Sequence, residues 1–90
     1  MSNLPTVLEL APNFYRISIN DLTLWVSYST MIAFEIEGQS RVVSENIVSN
    51  STGKHLNLLG MKNKRVSRGD FEKLWEISYK SWLSHNYHTN

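Results

Sequence analysis

Short alternating segments separated by turn signals, followed by one late stretch of helical spacing, predict an α+β chain. The expected form is an antiparallel β-meander of four or five strands packed by one C-terminal amphipathic helix. Three observations carry this. Phe14-Tyr15-Arg16-Ile17-Ser18-Ile19 and Leu22-Thr23-Leu24-Trp25-Val26-Ser27-Tyr28 alternate on either side of the turn pair Asn20-Asp21. With a two-residue loop there, Ile19 faces Leu22, Ile17 faces Leu24 and Tyr15 faces Val26, so all six share one side. Phe71, Leu74, Trp75, Ser78 and Trp82 then recur at helical spacing near the end of the chain.

Met1 to Asn13 reads as an irregular lead-in, with Val7-Leu8-Glu9-Leu10 as an edge-strand candidate closed by Pro12. A three-residue loop at Ser29-Thr30-Met31 places Tyr28 opposite Ile32, Val26 opposite Phe34 and Leu24 opposite Ile36, on the apolar face already defined. Gly38-Gln39-Ser40 supplies the next turn, and Arg41-Val42-Val43 starts a further strand that runs into a polar stretch. Asn50-Ser51-Thr52-Gly53 reads as a tight hairpin turn with Gly53 left-handed, returning Lys54–Leu59 as a strand with Leu56 and Leu58 inward. The competing reading is a short helix capped by Ser51 or Thr52 and stopped at Gly60. After the basic connector Met61 to Val66, Ser67-Arg68-Gly69-Asp70 resembles a capping box with Asp in the Glu position. The expected organisation is one domain over 1–90, with the sheet at 13–59, the helix at 67–83 and a frayed tail at 84–90.

Ninety residues, 41% apolar and 19% charged, suit one small soluble domain with a single core, for which a dimer interface is a natural supplement. The absence of cysteine excludes disulfides and thiolate metal sites. Without a signal-peptide pattern or a membrane-length apolar run, a cytoplasmic location and no membrane contact are expected. Net charge is +1 but uneven: residues 1–45 balance to −3 and residues 46–90 to +4. Lys54, Lys62, Lys64, Arg65 and Arg68 form a run of positive charge without a negative one, the footprint of a polyanion-binding face, to which His55 adds a titratable group. The plain alternative is a solvated loop.

The polar stretch holds the other candidates: Ser44, Glu45, Asn46, Ser49, Thr52, Gly53 and Asn57. Thr52-Gly53-Lys54 lacks the first glycine of a phosphate loop and has His55 where the metal-binding hydroxyl belongs, so it is not that motif. Glu45 opposite His55 on neighbouring strands would orient an imidazole, with serines nearby, but no nucleophile elbow or oxyanion hole accompanies the pair. No catalytic residue, metal site or cofactor is assigned, and the chain reads as a non-enzyme. His85 and His88 sit three apart without a third ligand. Trp25, on the outer face with Phe14 and across from Arg16, is an aromatic anchor candidate if exposed, and otherwise lies under the N-terminal segment or a second copy.

The run Ser27-Tyr28-Ser29-Thr30-Met31-Ile32-Ala33-Phe34, with Ser44-Glu45-Asn46, Ser49 and Ser51-Thr52-Gly53-Lys54-His55-Leu56-Asn57, resembles a group of small uncharacterised proteins encoded by phages and plasmids. The resemblance covers residues 24 to about 75 and implies an intracellular accessory role in a mobile element, without a known activity. Val48 stands where those proteins often carry an aromatic residue. The leading functional expectation is a non-catalytic binding module whose Lys54–Arg68 face contacts nucleic acid. The second is a protein-interaction module directed at a host protein, and the third a small enzyme or anion site at Glu45, Lys54 and His55.

Overall fold

In the computed structural model, which describes residues 4–45, 50–60 and 64–86, the strands follow one another across a single six-stranded sheet in chain order. They are β1 (Thr6–Ala11), β2 (Phe14–Ile19), β3 (Leu22–Ser27), β4 (Thr30–Ile36), β5 (Val42–Ser44) and β6 (Arg65–Val66). Two helices are found among the described residues, α1 (Asn50–Leu59) and α2 (Arg68–Asn86). The first five strands form an antiparallel meander; β6 joins β5 in parallel, so β5, α1 and β6 make a crossover unit. The architecture is α+β, with a mixed and mostly antiparallel sheet.

The Asn20-Asp21 hairpin has the expected register, Ile19 to Leu22, Ile17 to Leu24 and Tyr15 to Val26. Asn20 takes φ +53, as the primed turns matching strand twist require. The next hairpin departs from expectation. Tyr28, at φ +57, and Ser29 form a two-residue loop, and the pairs are Val26 to Met31, Leu24 to Phe34 and Leu22 to Ile36. A bulge opposite Trp25 and Val26 leaves Ile32 as the extra residue. Next to the turn the error is three residues and beyond the bulge it is two, an even shift, so Leu22, Leu24, Phe34 and Ile36 keep the expected face. At the third turn Gln39 N–H donates to Ile36 O at 2.9 Å across Gly38, whose φ of +87 favours glycine.

Residues 50–60 correct a larger expectation. The hairpin with Gly53 left-handed does not form; the competing reading holds, a helix, α1, stopped at Gly60 with φ +72, though it starts at Asn50, ahead of the Ser51 or Thr52 cap expected. Thr52, His55, Leu56 and Leu59 fall at positions i, i+3, i+4 and i+7, one stripe turned to the sheet. Leu58 points outward at 66% exposure. The sheet therefore lies between two helical layers. Phe14, Trp25, Ile32, Ala33 and Val43 pack with Leu56 beneath α1, while Leu22 and Ile36 pack with Trp82 beneath α2. The bulge turns both Ile32 and Ala33 to the α1 side.

Ser67 caps α2: Asp70 N–H donates to Ser67 Oγ at 3.2 Å. Phe71, Trp75, Tyr79 and Trp82 build an aromatic ridge against Phe34, whose ring lies 5.4 Å from Phe71 and 5.2 Å from Trp75. Leu74, expected in the core, is instead 39% exposed. The helix continues to Asn86, past the expected end at 83; residues 87–90 lie outside the described residues.

Candidate functional site

Three places combine chemistry with position: the polar cluster under α1, the basic stretch, and the outer edge of β1, which has no strand beyond it among the described residues. Under α1, Ser27 is 1% exposed at the end of β3, on the same side as Trp25. Its Oγ lies 3.1 Å from Thr52 Oγ1 and 2.6 Å from His55 Nδ1. Hydroxyl and imidazole can each donate or accept here, so the three side chains form one buried hydrogen-bonded chain. The imidazole stacks on Phe14 at 4.8 Å and 8°, with Tyr28 tilted over it at 5.7 Å. His55 is thus a buried hydrogen-bonding residue and not a member of an exposed cationic face.

Glu45 does not join it. The Glu45 carboxylate accepts from Arg68 N–H at 3.3 Å, at the start of α2, while Glu45 N–H donates to Val66 O at 2.8 Å. The expected Glu45–His55 pairing required a hairpin over 50–59 and is lost with it. Ser44 is buried and donates to Glu45 O at 2.9 Å, Gly53 is half-buried within α1, and Asn46 and Ser49 lie outside the described residues. Among the described residues no group of His, Cys, Asp and Glu could hold a metal ion. His85 turns its Nδ1–H to Ser81 O at 2.9 Å, and His88 lies outside the described residues.

The basic residues divide. Lys54 and Lys64 are exposed. Arg68 is held in place: its Nη1 donates to Met31 O at 2.8 Å, its Nε to Glu72 at 3.3 Å, and its guanidinium covers Phe71 at 4.8 Å. Arg65 is half-buried and reaches Asn57 Oδ1 at 3.4 Å, while its Nε is buried without a partner. Lys62 lies outside the described residues. Trp25 is 6% exposed within the single chain, in a cluster with Leu56 of α1 against which Ala11 of the N-terminal segment also packs, and Arg41 lies over its ring at 4.4 Å. As an exposed anchor Trp25 is therefore excluded. The Arg41 stack was not legible, since it depends on how the β4–β5 turn returns.

The β1 edge went almost unread in the sequence. Val7, Leu8 and Leu10 are 61%, 47% and 40% exposed. A two-residue turn makes Ile19 and Leu22 a hydrogen-bonded pair, and alternation along the ladder then aims the backbone of Ser18 and Arg16 at β1. Thr6 and Leu8 face those residues in register. It follows that Val7 and Glu9 direct their N–H and C=O groups away from the sheet. A bulge between Glu9 and Ala11 ends the regular ladder.

A family model described as a family of unknown function, DUF8033, matches residues 2–73. The chain belongs to this family. No curated protein and no solved structure matches it. The DUF8033 match takes in all six strands, α1 and the first residues of α2, and so spans the α1 cluster, the basic stretch and the β1 edge. No helix among the described residues is long and apolar enough to cross a membrane.

Proposed function

We propose that the protein is a protein-binding module that adds an extended strand to its β1 edge. The observation that carries this is the row of outward backbone groups on Val7 and Glu9, flanked by aliphatic side chains on both faces of the strand. Edge strands are ordinarily blunted by Lys, Pro or short length. Thr6–Ala11 has six residues without Lys or Pro, between Pro5 and Pro12. A peptide laid beside it gains main-chain hydrogen bonds, with Val7 and Leu8 choosing alternate side chains on opposite faces. The mobile-element context implied by the 44–57 resemblance fits an accessory role of this kind.

The test is selection of extended peptides from a random library on the immobilised protein. Enriched sequences should carry apolar residues at alternate positions, and Val7→Pro, which deletes one outward N–H, should abolish their binding. An absence of enriched peptides, or binding indifferent to Val7→Pro, overturns the proposal.

Nucleic-acid binding stays as the second reading, supported by the exposed Lys54 and Lys64. It draws on a smaller set of cations than the run of five suggests, because Arg68 is engaged within the fold and Arg65 is half-buried.

A further inference from the structure

We infer that the strand taken up by the β1 edge is the β1 of a second copy, paired antiparallel about a two-fold axis at Leu8. This rests on the strand-addition reading and names its partner. The argument is one of register. A two-fold pairing of identical strands must match outward-facing residues with outward-facing residues, so its axis passes through a residue and not between two. Three centres fall within the exposed ladder.

Centred on Val7, the pairing sets Glu9 against Pro5 of the other copy, which has no N–H to donate. Centred on Glu9, it sets two carboxylates directly opposite one another, which is destabilising. Centred on Leu8, Val7 meets Glu9 in both directions. All four outward groups of each chain are then used, and Leu8 meets Leu8 as a close non-hydrogen-bonded pair on the α1 side. This register alone satisfies every group between Pro5 and the bulge. The two-fold axis stands perpendicular to the sheet, so the two six-stranded sheets become one continuous sheet, with each α2 on the same face.

The partner's size follows from the length of the ladder. A ribbon this short covers less than the roughly 800 Å² per partner of a standard interface, so association is weak and concentration-dependent, in about the micromolar to millimolar range. Val7, Leu8 and Leu10 supply its apolar surface.

Sedimentation velocity across concentration, combined with cysteine cross-linking, tests the proposal, and the natural chain has no cysteine to confuse the second. The wild type should shift from monomer to dimer as concentration rises. Leu8→Lys and Val7→Pro should each raise the dissociation constant at least about tenfold with circular dichroism unchanged. Leu8→Cys should form a disulfide-linked dimer on mild oxidation, because close antiparallel pairs stand about 4.5 Å apart at Cα, within disulfide reach. Val7→Cys alone should not, since it faces Glu9. A wild type that stays monomeric to about 1 mM, or cross-linking at Val7 in preference to Leu8, overturns the pairing. Should the wild type be monomeric while Val7→Pro still abolishes selected-peptide binding, self-pairing fails and strand addition stands. Loss of both overturns both.

Discussion

The hydroxyl of Ser27 and the Nδ1 of His55 lie 2.6 Å apart beneath α1, joining the end of β3 to a helix that begins more than twenty residues later. With Thr52 they form a buried polar chain in which each group has a partner. Satisfied, such a chain fixes the placement of the helix; broken, it leaves a buried group without a partner. Ser27→Ala should therefore lower unfolding free energy by about 1–3 kcal/mol. His55→Leu should cost a similar amount and also remove the stack on Phe14. A double-mutant cycle in urea should show coupling of about 0.5–3 kcal/mol, and additive losses would contradict the linkage.

Why the sequence misled at α1 is visible in the same residues. Thr52, His55, Leu56 and Leu59 have helical spacing, but two of the four are polar and so short a helix is marginal alone, which favoured the hairpin over the helix stopped at Gly60. The β3–β4 register failed for a different reason: Met31, Ile32, Ala33 and Phe34 are all apolar, so alternation cannot reveal which one is inserted. Where polar and apolar residues alternate cleanly, as on either side of Asn20-Asp21, register was legible pair by pair. The basic candidates were identified by type alone, and type does not tell that Arg68 reaches Met31 O while Lys54 stands in solvent.

Trp82 closes α2 onto the first hairpin. Its Nε1–H donates to Asp21 Oδ1 at 2.7 Å, and the indole is 5% exposed beside Leu22 and Ile36. Trp82→Phe keeps most of the packing and removes the donor, so a loss of about 1.5–3 kcal/mol is expected for this bond to a charged acceptor. Asp21→Asn, which retains an acceptor oxygen, should lose less. Equilibrium denaturation of both variants checks the order.

Two glycines should respond in opposite directions. Gly60 holds φ +72 after α1, and a Cβ there would meet nothing within 4 Å, so the cost of Gly60→Ala is backbone strain alone, about 1 kcal/mol. Gly69 sits in the first turn of α2 with equally open surroundings and no left-handed angle. Gly69→Ala should raise stability by up to about 1 kcal/mol. Thermal midpoints of the two variants should fall on either side of the wild type.

Lys54 and Lys64 are exposed, so replacing both by Ala should shift stability by less than about 0.5 kcal/mol. Arg68→Ala should cost more, because it removes the bond to Met31 O and the cover over Phe71. If the two lysines contact phosphates, anisotropy with labelled DNA or RNA should show a double variant whose salt slope is shallower by about 0.7–0.9 per lost contact. No binding by the wild type at about 50 mM salt would end the nucleic-acid reading.

The parallel junction of β5 and β6 also sets an order of events. Strands β2 to β4 meet neighbours a few residues away, whereas Val43 meets Arg65 only after the whole of α1 has been traversed. Local pairings close quickly and distant ones late. By that rule the meander of β2 to β4 closes first and the β5–β6 pairing later, and the opening of α1 with β6 must break two ladder pairs, the packing of Leu56 and Leu59, and the bonds of His55 and Thr52 to Ser27. Such an opening bares Trp25 and Phe14, which pack beneath α1, to water. The buried indole under α1 is therefore a natural reporter of partial opening, with a quenching rate distinct from that of global unfolding.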